Sequence, residues 1–129
     1  MNTTAPSATN VTDDHRETAK YFRDAIDIGV LWSLGGIHLT AVPGRDNLGG
    51  LHFYAHILPL DPDGNRAEAA IRMAVTISLT AADAIDIDVL HHDTGTVHAT
   101  ARGIYIDQLN PWLLALDYDG TTPLNPRYI

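Results

Sequence analysis

The sequence predicts an α+β fold: a four-stranded antiparallel sheet with two helices on one face and a short C-terminal helix. The first observation is an apparent internal repeat. Glu17 and Glu68 are the only glutamates, and each follows a capping residue, Asp14 or Asn65, by three positions, a spacing typical of a helix start. The second observation is that strand-like stretches come in pairs joined by short loops, which favours hairpins over parallel crossovers. The chain is therefore expected to form helix–strand–strand twice.

In the first half, apolar residues at helical spacing predict a helix over residues 14–28. Gly29 is a plausible end for it. Alternating residues then predict strands over 37–42 and 51–58. The connection between them, residues 43–50, is rich in Pro, Gly, Asp and Asn, as turns are.

In the second half, a helix is predicted over residues 66–80, with strands over 84–90 and 96–106 joined by a loop at 91–95. An alternative makes residues 73–79 a strand, because Val75, Thr76 and Ile77 are β-branched. The cap and the repeat favour the helix. Asn110 as the cap and Pro111 at the first helical position predict a final helix over 110–116.

The chain is long enough for one domain and not for two. We expect a flexible N-terminal arm over residues 1–12, a single α+β domain over 13–118 and an extended C-terminal tail over 119–129.

Composition excludes several classes of function. The net charge of −8 and pI of about 5.0 disfavour binding to nucleic acid, which needs clustered cations. The absence of cysteine rules out disulfides, thiolate nucleophiles and cysteine metal ligands. No apolar run is long enough for a membrane span, and the start of the chain does not resemble a secretory signal. A cytoplasmic protein is the expectation.

Alternation in the predicted strands places polar side chains on the sheet face away from the helices. This face could be solvated, could be an interface with another copy or another protein, or could be catalytic or metal-binding. The residues assigned to it are His38, Thr40, His52, Tyr54, His56, Asp86, Asp88, His98, Thr100 and Arg102.

A metal site is conceivable if His38 lies directly opposite His56, with Asp86 or Asp88 completing it. The spacing matches no metal signature, and no cofactor is expected. An enzyme acting on a small molecule or using a metal would draw on His38, His56, Asp86, His98 and Arg102. No nucleophile elbow or phosphate loop is present.

The final helix is denser in large apolar residues than a short surface helix needs. It either closes the open end of the core or forms a docking patch. Candidate partner-binding residues are Tyr54, Arg102, Trp112, Leu113 and Leu116. The lead hypothesis is a non-catalytic protein–protein interaction or assembly module, of the adaptor, inhibitor or immunity, or phage-structural type. Its partner would be a second copy or another protein.

Overall fold

The computed structural model describes residues 11–58 and 69–116, which form an α+β fold with three helices and one five-stranded sheet. Most of the predicted arm, all of the predicted tail, and Asn65 and Glu68 lie outside these residues. The elements in chain order are α1 (Asp13–Ala25), α2 (Ile28–Leu34), β1 (Ile37–Val42), β2 (Gly50–Ile57), β3 (Ile71–Leu79), β4 (Ile85–His91), β5 (Val97–Ile104) and α3 (Ile106–Ala115).

The sheet is an antiparallel meander, with each strand beside the next one in the chain. The helices cover one face. Phe22 of α1, Leu34 of α2 and Leu113 of α3 are fully buried against Phe53 and the other inward residues of the strands. One core therefore lies between a helical layer and the sheet.

The prediction of a helix over residues 66–80 is wrong, because β3 occupies residues 71–79 at the centre of the sheet. Met73, Val75 and Ile77 are fully buried, while Arg72, Ala74 and Thr76, which alternate with them, are only partly buried. A burial period of two is that of a strand. β3 pairs with β2 on one side and with β4 on the other. Its β-branched residues therefore pack against neighbours on both adjacent strands, a setting that favours such residues in a strand.

This strand removes the basis of the internal repeat. Residues 11–58 form helix–helix–strand–strand and residues 69–116 form strand–strand–strand–helix. The expected count of four strands is corrected to five, and the tandem repeat is not confirmed.

The start of the first helix also differs from the prediction. Thr12 is the N-cap, and its hydroxyl accepts the His15 amide at 3.2 Å. His15 completes a capping box, since its Nδ1 accepts the Thr12 amide at 3.1 Å, and its Nε2–H donates to the Asn47 carbonyl at 3.0 Å. Val11 is buried, so the last two residues of the predicted arm belong to the folded domain. The helix then breaks at Ile26 and Asp27, which separates α1 from α2.

The final helix begins one turn before the predicted start. Gln108 accepts the Tyr105 amide at 2.9 Å with its side chain, and Leu109 and Leu113, four residues apart, are both fully buried. Asn110 therefore lies inside α3 and does not cap it. Its amide instead joins the two other helices: Oδ1 accepts from Asp27 N–H at 2.7 Å, and Nδ2 donates to the Ala25 carbonyl at 2.9 Å.

Register shifts at both edges of the sheet move two residues that alternation assigned to the core. In β1 the pairing shifts between Ile37 and Thr40, at His38, whose φ is +58°. In β5 the pairing shifts by one residue after Val89 and Ala99, so that Leu90 of β4 lies opposite Val97. An extra residue in one strand reverses the facing of those beyond it. Ile37 and Val97 are accordingly 39% and 65% exposed.

None of the helices within residues 11–58 and 69–116 is long and apolar enough to cross a membrane.

Candidate interaction surface on the open sheet face

The face of the sheet turned away from the helices carries the polar residues of the strands, and we call it the open face. Along most of their length, β2, β3 and β4 alternate between buried residues on the helix side and partly buried residues on this side, and Ser78 on this side is also buried. Its central members are His52, Tyr54, His56, Arg72, Ala74, Thr76, Asp86, Asp88 and Leu90.

An apolar stripe crosses the whole open face. Ile37 pairs with Tyr54, Tyr54 with Ala74, Ala74 with Leu90, and Leu90 with Val97. Directly opposite residues in antiparallel strands lie on the same face. The stripe therefore contains one residue from each of the five strands, and its two ends are the most exposed members. Such a continuous row is unusual on a sheet face that only contacts water.

Tyr54 is the centre of a cluster of rings beside the stripe. The centroids of the His52 and His92 rings each lie 5.0 Å from that of Tyr54, and His38 lies at 6.4 Å, all edge-on. The Arg72 guanidinium carbon sits 4.3 Å from the Tyr54 centroid, a cation–π contact. Within the described residues, the buried Nε of Arg72 has no hydrogen-bond partner. Tyrosine and arginine grouped around a partly desolvated centre are typical of interface hot spots.

The acidic residues of the open face are neutralised by arginines. Arg102 donates to Asp88 at 2.6 Å and also to the Ile87 and Ala101 carbonyls. Arg45, in the β1–β2 loop, lies 3.3 Å from Asp86 and 3.7 Å from Asp88. Asp86 also accepts the Gly103 amide at 2.9 Å. Both carboxylates are therefore paired with arginines, and this corner of the face holds a connected ion-pair network.

The five residues suggested for an enzyme do not converge. Asp86 and Arg102 belong to the ion-pair network, although they contact different partners there. His56 contacts the Gly35 carbonyl at 3.1 Å through Nδ1, His98 meets the His91 ring at 5.4 Å, and His38 meets Tyr54.

The condition for a metal site, His38 directly opposite His56, is not met, because β1 begins at Ile37 opposite Tyr54 and His56 lies beyond it, beside the Gly35 carbonyl. Among the described residues, no group of three possible ligands is close enough to hold a metal ion.

Two histidines at the sheet are held in the neutral form. Burial lowers the pKa of His52 below its ordinary 6.5, and the nearby His92 imidazole lowers it further. Burial likewise lowers the pKa of His98, with His91 adding to the effect. Both imidazoles are therefore uncharged at neutral pH.

The predicted partner-binding residues divide between two places. Tyr54 and Arg102 lie on the open face. Leu113 is fully buried, and Trp112 and Leu116 pack against the core, which is how a helix that closes the core behaves. Sequence reasoning missed four members of the stripe. Alternation without bulges assigned Ile37 and Val97 to the core, the predicted second helix hid Ala74, and Leu90, the last residue of a predicted strand, was assigned to neither face.

Comparisons of the chain with protein-family models, with curated proteins and with solved structures find no significant match.

Proposed function

We propose that this protein is a non-catalytic assembly module that docks its open face against the open face of a second copy. The observation that carries this proposal is the apolar stripe of Ile37, Tyr54, Ala74, Leu90 and Val97, which runs in register across all five strands. Burying such a stripe removes apolar surface from water, which is the main driving force of association.

Charge supports a second copy as the occupant. The whole chain carries −8, so two copies repel each other through most of their surfaces. The charged side chains on or over the open face, in the described residues, are Arg45, Arg72 and Arg102 against Asp86 and Asp88. Three cations against two anions leave this face close to neutral, so the net negative charge of the chain is not concentrated where two copies would meet.

The size of the face also suits a dimer. Five strands spaced by about 4.8 Å, each about seven residues long at about 3.4 Å per residue, cover roughly 24 Å by 24 Å. Two such faces bury on the order of 1,100 Å² in total, which is near the lower end of specific interfaces. Facing sheets pack about 10 Å apart through interdigitated side chains, and a two-fold axis through the stripe would pair it with itself.

The alternative, an enzyme that uses His38, His56, Asp86, His98 and Arg102, would need those residues around one ligand. Their separate contacts favour the assembly role. The cytoplasmic setting expected from the sequence is part of the same proposal.

The test measures molar mass by light scattering over a dilution series, comparing two charge insertions at matched exposure. Val97 at one end of the stripe is 65% exposed, and Ile28 on α2, in the opposite layer, is 67% exposed. We expect wild type to approach twice the 14.0 kDa chain mass. Val97→Asp should weaken association by about tenfold or more, equivalent to about 1.4 kcal/mol, whereas Ile28→Asp should leave it unchanged.

Two results would overturn the proposal. One is a chain that stays monomeric up to about 1 mM, where binding amounts to only about 4 kcal/mol. The other is dissociation by Ile28→Asp but not by Val97→Asp, which would place the interface on the helical layer. Circular dichroism of each variant confirms that the fold is kept.

A further inference from the structure

A second surface, separate from the stripe, lies between α1 and the edge strand β1. A pocket of about 240 Å³ opens there, and three of its lining residues are Arg16, Lys20 and Arg23 of α1. The rest of the lining is Ala19, Leu39, Thr40, Ala41 and Leu51. Three of the eight cations of an acidic chain therefore surround one mainly apolar pocket, and no acid is among the described residues that line it.

The cations are available to a ligand. Arg16 pairs with Asp13 at 2.9 Å and Lys20 with Asp24 at 2.9 Å, while Arg23 lies 3.6 Å from the same Asp24. All these side chains are more than half exposed, and Asp13 is 99% exposed. Exposed pairs of this kind contribute little to stability, so a carboxylate of a ligand can replace the intramolecular partner at low cost.

The neighbouring strand offers backbone groups as well. In the part of the chain that the structure describes, β1 has a strand on one side only. An edge strand presents outward N–H and C=O groups that an extended peptide can pair with. The shift at His38 distorts the first residues of β1, so the regular edge is Thr40 to Val42, two residues of which line the pocket.

The row of cations on α1 matches the length of a short extended peptide. From residue 16 to residue 23 of a helix the rise is about 10 Å, at about 1.5 Å per residue. Four residues of an extended peptide cover about 13 Å, at about 3.3 Å per residue. Two acidic side chains four positions apart can thus reach the two ends of the cationic row, and an aliphatic side chain midway between them is on the same side of the peptide and above the pocket.

We propose that this groove binds an extended acidic peptide segment of another protein, which adds to the edge of β1. Its pattern is acid–x–aliphatic–x–acid. The aliphatic side chain enters the pocket over Leu39 and Leu51, and the acids pair with Arg16, Lys20 and Arg23. The pocket is smaller than the roughly 300–1,000 Å³ typical of small-molecule sites, as expected if it holds a single side chain. This site is independent of the proposed dimer.

The experiment titrates the full chain with a fluorescein-labelled peptide, TETLTET, with blocked ends, and follows anisotropy. The comparison peptides are TKTLTKT, which reverses the charges, and TETLTET N-methylated at both the leucine and the threonine after it, so that an N–H is blocked on whichever edge of the peptide faces β1. We expect micromolar binding of the first peptide, weakening with salt, and at least tenfold weaker binding of the other two. Amide NMR shifts should change at Thr40 and Ala41.

Matched variants locate the site. Lys20→Gln should weaken binding of TETLTET at least threefold, and the Arg16→Gln/Lys20→Gln double variant at least tenfold. Gln108→Glu changes the net charge by the same amount as Lys20→Gln, and its carboxylate can still accept the Tyr105 amide. It should leave the affinity within twofold.

Equal binding of TETLTET and TKTLTKT, or no binding of either, would overturn the proposal. Equal binding of the N-methylated peptide would also overturn it, since the groove would then hold an anion without strand pairing. If Gln108→Glu weakened peptide binding as much as Lys20→Gln, the loss would come from the net charge of the chain and not from a contact with Lys20, and the proposed site would be overturned as well.

Discussion

Replacing Asn110 by alanine should destabilise the helical layer, because one side chain of α3 holds the junction between α1 and α2. Its carboxamide accepts from Asp27 N–H at 2.7 Å and donates to the Ala25 carbonyl at 2.9 Å. Asp27 is the N-cap of α2 and makes no side-chain cap hydrogen bond of its own. Ala25 is the last residue of α1. The amide therefore satisfies one backbone group at each of two helix ends, where intrahelical partners are missing.

The magnitude follows from three contributions. Each lost hydrogen bond costs about 0.5–1.5 kcal/mol, so the two together cost about 1–3 kcal/mol. Alanine is a better helix former than asparagine by about 0.6 kcal/mol, which offsets part of this loss. The expected net decrease in the free energy of unfolding for Asn110→Ala is therefore about 0.5–2.5 kcal/mol. For a chain of 129 residues, each kcal/mol lowers Tm by about 4 °C.

Urea unfolding followed by circular dichroism measures the decrease, with an unchanged m-value as the sign that the denatured state is unaffected. Asn110→Gln keeps the amide but moves it one methylene away, so it should lose most of the same stability. Native-state hydrogen exchange adds a local measurement, since the Asp27 amide should lose protection in Asn110→Ala. A variant that is as stable as wild type, or more stable, would show that water replaces the carboxamide and would refute the reasoning.

Two further predictions concern the sheet. Gly50→Ala should lower the free energy of unfolding by about 1–3 kcal/mol, because a Cβ there would lie 2.4 Å from the Ile77 carbonyl oxygen. Gly95→Ala is the control: with φ +73° and open space around it, it should cost only about 1 kcal/mol. Equal urea midpoints for the two variants would contradict this prediction. The lowered pKa values of His52 and His98 mean that the unfolded chain binds protons more readily than the folded one, so stability is greatest above about pH 6.5 and falls as pH drops below it. Urea unfolding at pH 8 and pH 5 checks the sign, His52→Asn should flatten the slope, and unchanged stability across that window would contradict the prediction.

The parts of the fold that were predictable are those with a dense local signal. The strand over residues 37–42 has the predicted bounds, and β2, β4 and β5 lie within a residue or two of theirs, because strict alternation and turn residues define hairpins locally. The helical layer was less well predicted. The apolar spacing that runs from Ala19 to Val30 spans the break at Asp27, and the contact that holds this break comes from Asn110, far along the chain.

The error at β3 shows how a correct local rule can mislead. A capping residue followed by Glu three positions later suggested a helix start at residue 65. The apolar residues after it suit either element, since Met73 and Ile77 are four apart, as on a helix face, and they also alternate with Val75, as on a strand. The structure places this segment between β2 and β4, where it pairs on both sides. That position, set by the fold and not by the segment, decides between the two periods.

Two errors of the sequence analysis concealed the apolar stripe: the helix predicted at β3 and the assumption that the edge strands contain no bulges. A regular alternation without bulges would bury Ile37 and Val97, and a helix at residues 66–80 would remove Ala74 from the sheet. The actual register brings all three to the open face beside Tyr54 and Leu90. Bulges at sheet edges usually serve to prevent pairing or to re-aim a side chain. Here both edge shifts expose an aliphatic residue that a regular strand would have buried, at a cost in core stability of about 1.5–3 kcal/mol for each full side chain. Contact with a second copy would recover that loss, which a face exposed only to water would not.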